Sequence, residues 1–404
     1  MAVRLLISYF YIVGAMVFLV FSIAAHADGG LGAKLGNPTG LVKEEVVGNG
    51  SSVQPWLIDA LEKSAEHGTS IKKREVGLFF LYDLSEPENF VRAMKWLTVA
   101  SNEGDATASY YIGLMYWEGK GVAKNGTEAV KWYLLAAKRG ESMAQAMLGS
   151  LYLNGDKFSR TDVDGKEALY WLSLASENKN AIAQRVLGDM YAQGVGVDRD
   201  INKAFSLYKQ AAMQGDEDAE MQLGMLYLKG IGTEKDAVLA MKWLNKAADD
   251  GSGRAMCFIG NRYMYGDIVS KDFEKAIYWF ERSAKAGDAC GQDNLGEMYN
   301  AGTGVKQSDV DAVKWYRLSA AQGTADAQYN LGRKFEEGKG VAQDLLRAAA
   351  LFRLAANSGQ VDDAEEAWKR VASVIGSDKE RAALELVKKL SVAEDFLAVL
   401  DSDR

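Results

Sequence analysis

"AEMQLGMLYLKGIGTEKDAVLAMKWLNKAADDG", residues 219–251, sets Gly224, Gly230, Gly232 and Gly251 inside a stretch that otherwise patterns as helix. Ala219, Leu223, Leu226 and Tyr227 fall at i, i+4, i+7 and i+8, one face of a first helix, while Ala240, Trp243 and Ala247 make the stripe of a second. A glycine in a helix interior costs roughly 1 kcal/mol against alanine, so Gly224 predicts close approach of the neighbouring helix. Gly230 reads as the left-handed end of the first helix, Gly232 as the residue that lets the chain reverse, and Gly251 as the cap of the second helix. The stretch is a helical hairpin.

The same spacing recurs along the chain. Gly113, Gly149, Gly188, Gly224, Gly260, Gly296 and Gly332 are separated by 36 residues, apart from one step of 39, and each is followed three residues on by Tyr or Phe. Trp96, Trp132, Trp171, Trp243, Trp279 and Trp315 keep the same register, with Leu207 and Leu351 at the equivalent positions of two units. Projecting back from Gly113 reaches Gly77, followed by Ala93 and Trp96 at the expected offsets, so a first, degenerate unit begins near residue 70. A hairpin of this length cannot bury its own apolar face. Stacked neighbours must do so, and the expected fold is all-α, a superhelical αα solenoid of about eight units. Trp368 stands one period beyond Gly332, and "SDKERAALELVKKL" opens with a Ser377 to Glu380 capping box, so residues 361–404 read as terminal capping helices.

Composition narrows the function. All three prolines, Pro38, Pro55 and Pro87, lie in the first quarter of the 404 residues, leaving the rest free of helix-breaking rings. The formal charge is -8, with acids and bases interspersed, which argues against a nucleic-acid partner and for basic protein surfaces. Residues 1–27 combine Arg4, an apolar run from Leu5 to Ala25 and Ala25-His26-Ala27, the layout of a cleavable export signal; the alternative is an uncleaved anchor. Residues 28–55 are rich in glycine and polar residues and read as a flexible leader, with the repeats spanning 56–360. The expected location is periplasmic or otherwise exported, or membrane-anchored facing the periplasm. Asn49-Gly50-Ser51 and Asn125-Gly126-Thr127 permit a eukaryotic secretory alternative.

The pattern "A-x-x-x-LG-x-MY-x-x-G-x-GV" followed by "A-x-x-WY-x-x-AA-x-x-G" resembles the Sel1-like repeat, a relative of the tetratricopeptide repeat. "AVKWYLLAAKRG" (129–140) and "AVKWYRLSAAQG" (312–323) carry the resemblance most closely. It implies a right-handed superhelix that binds other proteins, as signalling adaptors, host-interaction factors and inhibitors of secreted toxins do. It implies no shared active site. Some relatives pair two cysteines in every repeat and are linked to β-lactam chemistry, and this chain lacks those pairs.

Catalysis is not expected. The chain after residue 27 keeps one histidine, His67, before the repeats, and no nucleophile elbow, phosphate loop or cysteine pair at ligand spacing appears. No cofactor, metal or small-molecule substrate is expected. A carboxylate-dependent hydrolase is the rival of a different class. Asp162, Asp164 and Gly165 form only a fragment of a calcium loop, inside the insertion "GDKFSRTDVDG" that lengthens the unit of Gly149.

By the same resemblance, residues three before, one after and four after each repeat glycine line a concave face. The candidate partner-binding set is Tyr110, Leu114, Trp117, Leu153, Met221, Met225, Leu228 and Met264. Met-rich apolar faces suit a partner helix or loop. The competing reading is that these side chains pack against adjacent repeats. Later units are polar at these positions: Asp293, Glu297, Asn300, then Tyr329, Arg333, Glu336. Cys257 lies on this line and Cys290 near the start of the next unit's first helix. Export would let the two pair, but the expectation is that they stay free. The expected partner is another protein: a toxin effector held by an immunity protein, or else a host factor or envelope protein held by an adaptor.

Overall fold

The computed structural model describes residues 55–82, 88–156, 158–159 and 161–402. The expected export signal and most of the leader lie outside them. The described residues hold twenty helices and no strand, only an isolated bridge between Asp156 and Thr161. None of these helices is long and apolar enough to cross a membrane.

The chain divides into two compact units between Gln214 and Gly215. The first holds α1 (Pro55–Glu66), α2 (Ser70–Tyr82), α3 (Glu88–Asn102), α4 (Ala106–Glu118), α5 (Gly126–Lys138), α6 (Ser142–Asn154), α7 (Gly165–Glu177), α8 (Ala181–Gln193) and α9 (Ile201–Ala212). The second holds α10 (Glu217–Lys229), α11 (Ala237–Asp249), α12 (Gly253–Tyr265), α13 (Phe273–Lys285), α14 (Ala289–Ala301), α15 (Asp309–Ala321), α16 (Ala325–Glu337) and α17 (Leu345–Asn357). It ends with α18 (Ala364–Ile375), α19 (Ser377–Val392) and α20 (Phe396–Ser402). Within each unit, hairpins such as α4–α5 and α12–α13 are the strongest pairings, and successive hairpins stack on one another. The all-α solenoid read from the glycines is the fold observed.

The repeat glycines are contact points. A methyl group on Gly224 would lie 2.8 Å from Leu244 Cγ, and one on Gly296 would lie 2.5 Å from the Tyr316 ring. In unit after unit the residue touched is the one that follows the tryptophan position: Leu97, Tyr133, Tyr208, Leu244, Phe280, Tyr316 and Phe352, all buried. The stripe expected on α11 therefore needs correcting, because Leu244 is fully buried whereas Trp243 is half-exposed. The tryptophans work one layer out. Trp171 packs with Tyr133 and Leu148, and Trp279 packs against Leu244 and Ile259, in the layer shared with the preceding hairpin.

Helix ends follow their local sequence. Asp216 caps α10 by accepting from Ala219 N at 2.9 Å, and Gly230, at φ +64°, ends it by donating to Leu226 O. The capping box expected at Ser377 does not form. Gly376, at φ +79°, ends α18 and starts α19 directly, so Ser377 is already helical and no side chain caps that end. The terminal helices pack Trp368, Leu386, Leu390, Phe396 and Leu400 onto Phe352 and Tyr316, and Arg347 Nε donates to Leu400 O at 2.7 Å.

Candidate protein-binding faces

The eight candidate residues divide between the units, with Tyr110, Leu114, Trp117 and Leu153 in the first and Met221, Met225, Leu228 and Met264 in the second. All eight are half-buried. Tyr110, Trp117, Leu153, Met221, Leu228 and Met264 pack against core clusters, and all eight side chains keep an exposed side.

In the first unit the face is aromatic. Tyr110 lies 5.3 Å from Tyr111 and 5.8 Å from Tyr133 between ring centroids, and burial, then Tyr111, then the charges of Glu141 and Glu118 push its phenol up to about 12. Trp117 meets Phe158 edge-on at 5.3 Å. Phe158 belongs to the insertion, which folds back so that this ring sits against the start of α5, where a methyl on Gly126 would lie 2.6 Å from it. Asp164, at the end of the insertion, caps α7 by accepting from Lys166 N and Glu167 N.

One feature of this face escaped the sequence reading. Tyr208 donates its hydroxyl to Asp189 at 2.8 Å and Tyr316 donates to Glu297 at 3.2 Å; both acceptors directly follow a repeat glycine. The equivalent of those acceptors beside Tyr133 is Leu114, which offers none, and the buried Tyr133 hydroxyl has no hydrogen-bond partner.

In the second unit the face is aliphatic before it turns polar. Met221 and Leu228 rest on the cluster around Leu244 and Ile259, and Met264 rests on Phe280, Leu295 and Met298. Beyond them Glu297 accepts from Asn330 Nδ2 at 2.6 Å as well as from Tyr316. Asp293 is pushed up to about 7, first by burial and then by the charges of Glu297 and Asp326. A polar recess of ≈ 170 Å³ lies nearby, lined in part by Asn300, Tyr316, Asn330, Arg333 and Lys334. Lys334 is buried and donates to Asn300 and Asp309, both at 2.6 Å. His67 is exposed in the turn after α1.

The cysteines are a correction. Cys257 and Cys290 form a disulfide between α12 and α14, the first helices of consecutive repeats, with Cα atoms 6.1 Å apart. Their separation of 33 residues is one repeat less about one helical turn, which sets them diagonally across neighbouring helices.

Comparison with known proteins accounts for this architecture. The Sel1 repeat model matches residues 74–105, 106–141, 142–180, 181–216, 217–252, 253–288, 291–324 and 325–360. The chain belongs to the Sel1 repeat family. It is similar to a Sel1 repeat protein from Oxalobacter formigenes, with 28% identity and a TM-score of 0.57, covering 79% of this chain and 92% of that one. It is also similar to a protective antigen present in uropathogenic Escherichia coli strains, with 29% identity and a TM-score of 0.57, covering 84% and 76% of the two chains. An immunity protein from Pseudomonas aeruginosa is a more distant likeness, with 18% identity, a TM-score of 0.42, and coverage of 65% and 88%. No curated protein sequence matches the chain. Sel1 repeats are protein-interaction scaffolds, and this Sel1 repeat chain is one of them.

Proposed function

We propose that this Sel1 repeat protein is a non-catalytic, exported scaffold that captures one protein partner on the exposed sides of its first helices. The observation that carries the reading is the half-exposed apolar face in each unit, Tyr110, Leu114 and Trp117 in one and Met221, Met225 and Leu228 in the other. Such faces favour contact with a partner's apolar side chains over contact with water. The acidic chain adds long-range attraction for a basic partner. Sequestration of a toxin effector by an immunity protein is one form of this role, and a host-interaction or envelope-signalling adaptor is another. Export, to the periplasm or anchored through an uncleaved segment, is the location that residues 1–27 suggest.

The test is affinity capture from the native cell envelope, using the wild-type chain beside a Met225→Asp, Leu228→Asp double variant. A protein retained by the wild type and lost by the variant, whose helical circular dichroism is unchanged, is the expected result. Equal retention by both removes the second-unit face from the reading.

A hydrolase has one foothold, because Asp293 and Glu297 are neighbouring acids of which one is pushed up to about 7. Tyr316 and Asn330 already occupy Glu297, which favours a structural role for it. Turnover of a glycoside that disappears with Asp293→Asn would decide for the enzyme.

A further inference from the structure

The disulfide lies beside a third ligand type. Asp288 is the N-cap of α14, and its Oδ1 accepts from Cys290 N at 3.1 Å, Gly291 N at 3.2 Å and the Ser283 hydroxyl at 3.2 Å. Its position is therefore fixed, and Oδ2 stays free. One carboxylate oxygen and the two sulfurs all lie within 4.8 Å of one another. Asn294 Nδ2 is 3.6 Å from each sulfur and Asn261 Nδ2 is 3.7 Å from Cys257 Sγ, so amide donors surround the place where thiolate charge would develop. Cys290 sits in the first turn of α14, where the helix dipole also favours negative charge. It is exposed, whereas Cys257 is buried, so an incoming thiol meets Cys290 first.

We propose that Cys257, Cys290 and Asp288 form a redox-gated site for a soft divalent cation, with Zn2+ the best match. In the oxidised chain the sulfurs bond to each other and offer the cation nothing. A small dithiol reductant opens the site: its thiolate attacks Cys290 Sγ, the S–S bond breaks and Cys257 leaves as a thiolate that takes up a proton. The reductant's second thiol then displaces Cys290 from the mixed disulfide. Two electrons and two protons pass to the protein, and the reductant becomes a disulfide. The cation next displaces both thiol protons to solvent as two metal–sulfur bonds form. Tetrahedral Zn2+ with Zn–S near 2.3 Å needs sulfurs about 3.8 Å apart. Side-chain rotation supplies that from Cα atoms 6.1 Å apart. Asp288 Oδ2 is the third ligand and water the fourth. Thiolate pairs with a carboxylate select Zn2+ over Mg2+ or Ca2+. The cation thereby ties α12 to α14 under reducing conditions, as the disulfide does under oxidising ones.

The experiment titrates the purified full chain with Co2+, a coloured stand-in, and then displaces it with Zn2+, before and after reduction with a phosphine that is removed first. One equivalent of Co2+ with a sulfur-to-metal charge-transfer band, seen only in the reduced chain and absent from Cys290→Ser, is expected. Asp288→Asn should weaken binding by roughly tenfold or more while keeping the helix start, because Asn caps as well as Asp. Reduced wild type binding no better than the Cys257→Ser, Cys290→Ser double variant overturns the proposal. So does Asp288→Asn binding as tightly as wild type, or an oxidised chain that binds equally well.

Discussion

The position four residues before the repeat glycine differs between repeats, being Lys73, Ser109 and Met256 in three of them and glutamine in four. Gln145, Gln184, Gln292 and Gln328 occupy it as neutral amides; Gln184 accepts from Gln214 at 2.7 Å and Gln292 from Gln322 at 2.8 Å. In the unit of Gly224 the residue is Glu220, fully buried, with one oxygen on Lys246 and Oε2 unpaired. Burial raises its carboxyl to about 7, against the lowering effect of Lys246. The folded chain then holds this proton more tightly than the unfolded chain, whose value is near 4.5. The stabilisation is full below 4.5 and is lost as pH rises toward about 7. Glu220→Gln should therefore match wild type near pH 4.5 and melt higher at pH 8, by about 2–4 °C for each kcal/mol recovered. Lys246 keeps Asp250 at 2.8 Å in either case. A variant that melts lower at pH 8 would mean that the ionised Glu220–Lys246 pair is worth more than its burial costs. Sequence alone exposed the glycines but not this group, because a glutamate at helical spacing is normally a solvated one. The tryptophan register hides a related fact: the largest side chain of the second helix lies one layer out, and the smaller residue after it carries the contact with the glycine.

Among the elements, helix starts and stops were legible wherever one residue decides them, as at Asp216 and Gly230. They were not legible where two signals compete. At 376–377 the positive-φ glycine and the serine both offer a boundary, and the glycine prevails because ending α18 at Gly376 leaves no room for a separate cap. The disulfide was illegible because pairing depends on how adjacent first helices are offset, and sequence supplies the period without the offset. Its energetic consequence can be measured. Closing a loop of 33 residues restricts the unfolded chain by an amount worth about 3–4 kcal/mol in the chain-entropy model. Urea unfolding of the chain with and without a reductant, in metal-free buffer, should show a loss of that order, and Cys290→Ser should reproduce the reduced value without reductant. A loss well under 1 kcal/mol would show that packing alone fixes α12 against α14.

For the molecule as a whole, the period of 36 gave the architecture because it is a property of every repeat, whereas the partner depends on surfaces that the period leaves unspecified. Tyr110 and Met221 hold the same place in their repeats, three residues before the glycine, and are both half-buried, yet one lies on an aromatic face and the other on an aliphatic one. The repeat also dictates how damage should spread. Inside the first unit, α4–α5 packs on α3 before it and α6 after it, and α6–α7 on α5 and α8, so stability there should be a sum of local terms and nearest-neighbour terms. Gly113→Ala forces a methyl to 2.6 Å from the Tyr133 ring, and overpacking of this kind costs about 1–3 kcal/mol. Because Tyr133 joins the core of its own hairpin to Leu148 and Trp171 of the next, the strain is placed at a junction between repeats. Amide hydrogen exchange should show protection falling most in Ala106–Glu118 and Gly126–Lys138, less in Ser142–Asn154, and least in Ile201–Ala212. An even loss across the four helices would mean that the first unit unfolds only as one block, and the additive picture of stacked repeats would fail for it.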